Sequence, residues 1–232
     1  MAQKGSDRRY WNNQQKEFRH LLLSFEQHDE AIGMFLNQHA MVHSRQVIRA
    51  EKIDPELRFF EDELLDDMVE GQIRRLLQNQ EHSIAWNIWH IARIEDVTMN
   101  ILVAGESQIL RQDNWLQRMK ITIPHTGNLM DETDVIELSA SIDIEALRAY
   151  RLAVGSKTRE IVQGLRPEDL KQKVNPARLQ RLLDEGAVVE AASDLLDYWG
   201  RRNIAGLLLM PATRHNFVHL NESFRLKQRL QS

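Results

Sequence analysis

The chain has 232 residues, of which 42% are hydrophobic, and its 30 basic and 34 acidic residues give a formal net charge of -4. This length suits one domain with a substantial core. The near balance of charge argues against a dedicated nucleic-acid surface, which needs a concentrated basic face, and Arg201 and Arg202 form only a pair. Because cysteine is absent, disulfide bonds, thiolate metal ligands and a cysteine nucleophile are excluded.

The hydropathy pattern indicates neither a membrane helix nor a secretion signal. The segment from Met1 to Tyr10 is polar and lacks an apolar signal core. The longest apolar stretch, Ile204 to Met210, is far shorter than the ~20 residues of a membrane helix. We therefore expect a cytoplasmic protein without membrane contact, formed by a single domain over residues 1–232 with a polar tail over about 1–10.

The chain is predicted to be helical, because only 5 prolines and 10 glycines interrupt its whole length. A first helix is predicted from about Trp11 to Ala50, with apolar residues, Phe25 among them, at three- and four-residue steps. Asp54 and Pro55 begin a new segment. This segment, Leu57 to Gln80, is predicted to be a helical insertion.

The second main helix is predicted from Ser83, a suitable N-cap, to Ala104, with Gly105 as its stop. The stretch from Leu110 to Leu138 is predicted to be an irregular crossover. Within it, Ile121 to Ile123 is the one place where the residue pattern permits a short strand.

A third main helix is predicted from about Asp143 to Gly164, and a short amphipathic helix over Pro176 to Glu185. The last helical region runs from about Val188 to Leu230. Pro211 is expected to break or kink it, with a fresh helix from about Ala212. Four main helices, one long crossover and an extra helical insertion after the first helix predict an all-α four-helix bundle.

Two histidine pairs have the i, i+4 spacing that stacks side chains on one helix face. Such a pair can share a metal ion, although a chance surface pair is commoner. Polar neighbours around His39 and His43 predict a solvated helix end. His215 and His219 follow an apolar stretch and share a stripe with Leu208, so they are expected to face the core, where unpaired polar groups are costly.

His90 is the candidate for a third ligand, because it lies in the least polar stretch of its helix, Ile84 to Ile94. Taken alone, it is more simply interpreted as a core histidine whose ring bonds to a backbone carbonyl. Together with His215 and His219, it makes a metal site a credible alternative.

Glu222 lies one turn beyond His219 and is a candidate to orient that ring or to act as a base. A plain exposed acid is the alternative. Arg93, one turn from His90, and Arg214, next to His215, are candidates to meet an anionic substrate. Salt bridges to Glu95, Asp96 or Glu222 are the simpler interpretation.

Three tryptophans are candidates to line a pocket, namely Trp86, Trp89 and Trp199. Buried aromatic residues in a helical bundle are more often part of the core.

Several segments resemble the DinB-like superfamily of metalloenzymes. The stretch Ser83 to Asp96 resembles the family's first histidine helix, and Gly206 to Ser223 resembles its C-terminal HxxxH helix. Ile121 to Asp134 is similar to the loop between its second and third helices. The resemblance extends from about Phe18 to Arg225, with an insertion at about Glu51 to Gln80.

The resemblance implies a four-helix bundle of DinB type that is commonly a homodimer. It also implies a three-histidine site for one divalent metal ion, nickel or zinc being the usual assignments. The ligands implied in this sequence are His90, His215 and His219.

Characterised relatives include thiol-dependent transferases and isomerases that use mycothiol, bacillithiol or glutathione. The resemblance thus implies a metal-dependent enzyme of the thiol-dependent transferase or hydrolase kind, with a low-molecular-weight thiol and a small-molecule substrate as partners. Three imidazoles leave coordination positions open, as a catalytic site requires. The alternative is a non-catalytic dimeric bundle in which the metal is structural or sensory. The charge balance disfavours a nucleic-acid partner.

Overall fold

A computed structural model describes residues 8–24, 26–48, 56–79 and 81–232. The α-helices of the described residues are α1 (Arg8–Leu21), α2 (His28–Met41), α3 (Phe60–Leu65), α4 (Glu70–Arg74), α5 (Ile84–Asp96), α6 (Trp115–Arg118), α7 (Glu132–Ser141), α8 (Ile144–Gln163), α9 (Pro176–Asp184), α10 (Ser193–Gly200), α11 (Ile204–Leu209) and α12 (His215–Gln231). Two π-helical segments, Val97–Ala104 and Met210–Arg214, extend α5 and join α11 to α12. Short 3-10 turns occur at Arg45–Val47, Ile109–Arg111, Asp169–Lys171 and Glu190–Ala192.

The fold is all-α, as the sequence predicts. Within the described ranges, β pairing is limited to one isolated bridge between Lys173 and Asn203. The possible strand at Ile121 to Ile123 was a wrong prediction, since that stretch has no regular structure. None of the described helices combines the length and the apolar character that crossing a bilayer demands.

The predicted first helix is in fact two helices, α1 and α2. The chain turns after α1, where the backbone N–H groups of Leu23 and Ser24 bond back to the preceding turn. This turn allows Phe18 of α1 and Phe35 of α2 to pack at 6.1 Å between ring centroids, which one straight helix could not achieve. Phe25 and the predicted end of the helix at Ala50 lie outside the described residues, as do residues 1–7 of the predicted tail. Residues 8–10 belong to α1.

The predicted insertion contains two short helices, α3 and α4, where the sequence indicated one helical segment. The chain reverses between them at Asp67, which has a positive φ of 59°. Lys227 of α12 donates its ammonium protons to the carbonyl oxygens of Glu63 and Leu64, so it ties α3 to α12. Residues 51–55 and Gln80 of this insertion lie outside the described residues.

The central helix is α5, all of whose residues are buried. It packs against α8 and α12. Its predicted boundaries are confirmed: the Oγ of Ser83 accepts from the N–H of Trp86 at 3.0 Å, and Gly105 ends the π-helical extension with a φ of 76°. Asp143 likewise caps α8, as predicted, by accepting from the N–H of Ala146. The amphipathic helix predicted from Pro176 is α9.

The crossover is more regular than predicted, because α6 and the beginning of α7 lie within it. Of the two outcomes predicted at Pro211, the break is wrong, and the regular α-helix is instead disturbed over Met210–Arg214. The chain passes through Pro211 in a π-helical turn and continues directly into α12 at His215. A widened turn accommodates a residue that lacks an N–H, so the helix need not restart.

Candidate metal centre

The three histidines singled out in the sequence come together between α5 and α12. One ring nitrogen from each of His90, His215 and His219 lies within 4.8 Å of the others. The ring of His90 lies 5.1 Å from that of His215 and 5.0 Å from that of His219, and all three rings meet edge to face. His90 is buried, whereas His215 and His219 are partly exposed. The cluster therefore has the ligand type and the spacing of a three-histidine metal site.

The orientation of His90 is set by the crossover. Its Nδ1 lies 2.6 Å from the carbonyl oxygen of Thr126, which can only accept a hydrogen bond. The proton of the neutral ring is therefore on Nδ1, and the lone pair on Nε2 is available to a metal. Gly127 has a φ of 83°, and a Cβ there would lie 2.5 Å from Trp89, so the loop needs glycine at this position.

The ring of His219 is oriented in the same sense. Its Nδ1 lies 3.1 Å from Oδ1 of Asn87 and 3.2 Å from Oε2 of Glu222, and both of these oxygens accept. The amide of Asn87 is itself fixed, because its Nδ2 donates to the Oγ of Ser223 at 3.1 Å. Nδ1 of His219 therefore carries the proton, and its Nε2 is left as a lone-pair donor.

His215 completes the cluster. Its buried Nδ1 has no hydrogen-bond partner among the described residues. Burial lowers the pKa of His215 well below its usual value, and the neighbouring His90 and His219 lower it further. Burial likewise lowers the pKa of His90 to about 3, with a further contribution from His219. Neutral rings with converging lone pairs repel one another unless a cation lies between them, so the donor set fits a divalent metal.

His82, which no sequence motif indicated, contacts residues of both helices that carry the candidate ligands. Its ring stacks on Trp86 at 3.6 Å, and Trp86 stacks on His90 at 4.5 Å. Its Nδ1 lies 3.5 Å from Oε1 of Glu222, whose other oxygen bonds to His219. The signal available in the sequence was the position of His82 beside the N-cap of the His90 helix.

Glu222 is ionised in this arrangement. Burial by itself raises the pKa of the carboxyl group, but the hydrogen bonds from His219 and His82 outweigh that effect and bring the pKa to about 2. Both carboxylate oxygens face histidines, which suits an orienting group.

Arg93 lies fully buried behind the site, 0% exposed. Its guanidinium donates to Asp96 at 2.8 Å, to the hydroxyl of Tyr150 at 2.8 Å, to Gln108 at 2.6 Å and to the carbonyl of Pro124 at 2.7 Å. Arg93 therefore forms a salt bridge to Asp96, the simpler of the two roles predicted for it, the other being contact with an anionic substrate. Through Pro124, Arg93 also holds the loop that presents the Thr126 carbonyl.

The three tryptophans proposed as pocket residues, Trp86, Trp89 and Trp199, are all buried. Trp86 is sandwiched between His82 and His90, and its Nε1 contacts the Sδ of Met130 at 3.4 Å. Trp89 is 0% exposed and packs against the crossover at Gly127. Trp86 therefore lies against a metal-ligand candidate, whereas Trp89 supports the loop.

The solvated position predicted for His39 and His43 is wrong. These side chains are 0% and 1% exposed, because the end of α2 and the turn that follows it pack towards Glu95 of α5 and Gly155 of α8. Nε2 of His39 lies 2.8 Å from one oxygen of Glu95, and Nε2 of His43 lies 3.0 Å from the other. Asn216 donates a third hydrogen bond to Glu95 at 3.1 Å. The sequence does contain a signal for this burial. Glu95 lies in an apolar helix, where a carboxylate needs buried partners.

This second cluster also has three potential metal ligands within 4.8 Å. Its hydrogen bonds differ from those of the first cluster, however. Burial lowers the pKa of His39, and that of His43 to about 3, so both rings are neutral. Burial alone raises the pKa of Glu95, but the interactions with His43 and His39 outweigh it and hold the pKa well below its usual value. The two Nε2–H groups donate to Glu95, and Nδ1 of His39 has no partner among the described residues.

The fold and the first cluster together define an all-α protein with a candidate three-histidine metal site. The family model described as the DinB superfamily matches residues 62–222. The chain therefore belongs to the DinB superfamily, in agreement with the resemblance seen in its sequence. A comparison with curated proteins finds no significant match.

Proposed function

We propose that His90, His215 and His219 hold one divalent metal ion, nickel or zinc, and that the chain is a metal-dependent enzyme of the thiol-dependent transferase or hydrolase kind. One observation carries the proposal: Nδ1–H of His90 and of His219 is bonded to an acceptor outside the cluster. Their Nε2 lone pairs are thereby left for a metal ion, and one ring nitrogen of each of the three histidines lies within 4.8 Å of the others.

The access to the cluster favours a catalytic role over a structural one. A structural zinc site is usually closed by four protein ligands, whereas this cluster offers three and two of them are partly exposed. A divalent ion bound here would supply a coordination position at which a water or a thiol is held in its deprotonated form.

The neighbouring residues have supporting roles in this proposal. Glu222 acts as a positioning residue, because one of its oxygens faces His219 and the other faces His82, and a pKa of about 2 makes it a weak base. Trp86 covers one face of His90 and excludes water from that side. Arg93 contacts no open surface and serves to hold the Pro124 carbonyl and the crossover.

The finer features of the proposal rest on the family resemblance and on composition. They are a single domain over residues 1–232, a homodimer, a low-molecular-weight thiol with a small-molecule substrate, and a cytoplasmic location. An external thiol is compatible with a chain that contains no cysteine of its own.

Metal analysis of the purified protein tests the site. We expect about one nickel or zinc ion per chain, and loss of the ion in a His215→Ala variant. His20→Ala is the matched control, because His20 is exposed on α1 and distant in sequence from all three ligands. A wild-type protein without stoichiometric metal, or one whose metal content is unchanged by His215→Ala, would contradict the proposal.

Cobalt substitution then separates an enzyme from a structural metalloprotein. We expect mycothiol, bacillithiol or glutathione to alter the cobalt spectrum by entering an open position. An unchanged spectrum with all three thiols, together with a large fall in thermal stability on chelation, would favour the structural alternative.

A further inference from the structure

A groove lies on the face of the molecule between α1 and the junction of α11 with α12, separate from the histidine cluster. Its volume is about 760 Å³, within the range of small-molecule sites. Six cationic side chains line it: Lys16, Arg19, Lys173, Arg201, Arg202 and Arg214. No carboxylate is among the described residues that line it. We call it the basic groove.

This concentration of charge is not expected from the composition, since the whole chain carries -4. The sequence presents Arg201 and Arg202 as an isolated pair. The fold adds cations from α1, from the segment before α9 and from the π-helical turn before α12. Like charges that share one groove repel one another, and a bound anion would relieve that repulsion.

Most of these cations are available to a ligand. Among the described residues, Lys16, Arg19 and Arg214 have no carboxylate partner. Arg202 stacks on Tyr198 at 4.2 Å, which orients its guanidinium without neutralising it. Arg201 approaches Asp197 only at 3.8 Å, in a pair whose side chains are 79% and 72% exposed, so solvent screens the attraction.

The groove also has an apolar floor. Leu22 and Ala205 are buried beneath it, and Leu209 and Met210 are partly exposed along it. A ligand that fits both features carries a strongly anionic group and an apolar portion. Recognition by guanidinium groups above an apolar surface is typical of an organic anion and not of a bare inorganic ion.

The cationic surface continues beyond the groove. A neighbouring depression of about 410 Å³ shares Asn12 and Arg214 with it and adds Arg8 and Arg225. Glu222 is the carboxylate that lines this second depression. The most cationic part of this surface is therefore the basic groove itself, where no described lining residue is a carboxylate.

We propose that the basic groove binds a small organic phosphate with an apolar portion. A phosphate dianion presents three oxygens and a charge near -2, so it can pair with two cations at once. A single carboxylate would leave most of the converging cations unpaired. The six cations surround a concave site, whereas a nucleic-acid backbone would require a longer stripe.

Isothermal titration with octyl phosphate and with inorganic phosphate tests this proposal on the full-length protein. We expect one octyl phosphate per chain, bound about tenfold or more tightly than inorganic phosphate because of the apolar floor. An Arg19→Gln/Arg202→Gln variant is expected to lose about tenfold in affinity, since it removes charge-assisted hydrogen bonds. A His90→Ala variant is expected to bind as the wild type does, which keeps this test independent of the metal site.

The matched control is Arg75→Gln/Arg229→Gln, which changes the net charge equally at two exposed arginines outside the groove. We expect it to bind as the wild type does. The proposal is overturned if both double variants weaken binding equally, or if octyl phosphate does not bind at millimolar concentration. It is also overturned if vesicles containing phosphatidylserine, or a DNA duplex, bind at this face more tightly than octyl phosphate does.

Discussion

Nδ1 of His90 donates a 2.6 Å hydrogen bond to the carbonyl oxygen of Thr126, so a loop remote in sequence determines which nitrogen of this ring faces the candidate metal site. The acceptor is a backbone atom and cannot be removed by substitution. The adjacent glycine offers a way to move it.

We expect Gly127→Ala to weaken both folding and metal binding. The new Cβ would lie 2.5 Å from Trp89 in a backbone of φ 83°, so the loop must shift and carry the Thr126 carbonyl with it. The expected loss is about 1–3 kcal/mol in the free energy of unfolding. Urea unfolding and zinc competition titration measure the two effects. Gly71→Ala is the control, because nothing lies within 4 Å of a Cβ at that helical position; an equal effect in both variants would refute the argument.

Glu222→Gln is expected to lower metal affinity about 10- to 100-fold, the usual effect of removing a carboxylate that orients a histidine ligand. The cobalt spectrum of the variant should shift at saturating metal, because His219 loses its charged partner at 3.2 Å. Glu137→Gln, an exposed acid on α7, serves as the control. An unchanged affinity and spectrum would mean that Glu222 has no influence on the site.

The second histidine cluster is expected to hold no metal. Nε2 of His39 and Nε2 of His43 already donate protons to Glu95, so neither lone pair faces the carboxylate. Elemental analysis should find one ion per chain, not two, in the wild type. A His43→Gln variant should retain that ion while becoming less stable. Two ions in the wild type and one in this variant would instead identify a two-histidine, one-carboxylate site.

Acid is expected to destabilise the metal-free chain in part through His43. Its pKa is about 3 in the folded protein, against 6.5 for an ordinary histidine, because the ring is buried. Below pH 6.5 the unfolded chain binds a proton at His43 that the folded chain does not. The contribution of His43 to the free energy of unfolding is therefore fully present above that pH. It falls by about 1.4 kcal/mol per pH unit as the pH drops towards 3. Denaturant unfolding between pH 7.5 and 5 should give a shallower dependence in His43→Gln, and equal slopes would contradict this account.

Local patterns in the sequence predicted the main features of the fold. Ser83, Gly105 and Asp143 act through short-range backbone chemistry, so their roles as helix caps and stop were predictable. The division of the first predicted helix was not, because it depends on the contact between Phe18 and Phe35 after the chain turns.

The candidate site was predictable to the extent that a family motif carries it. His90, His215 and His219 were named from spacing, polarity and resemblance, and they do converge. The burial of His39 and His43 was missed because polar neighbours on the same helix suggested solvent. Their environment is set by Glu95 and Gly155, which come from other helices.

The π-helical turn at Met210–Arg214 determines the direction in which His215 and His219 point. Such a turn accommodates one more residue than regular α-helical winding, and each residue turns the following helix by about 100°. Losing a single residue between Pro211 and Arg214 would therefore rotate α12 about its axis and direct both histidines away from His90, with every ligand still present in the sequence. An alignment that counts only the HxxxH pattern would still assign an intact site to such a chain. The length of this turn is therefore as diagnostic of an intact site as the histidines themselves.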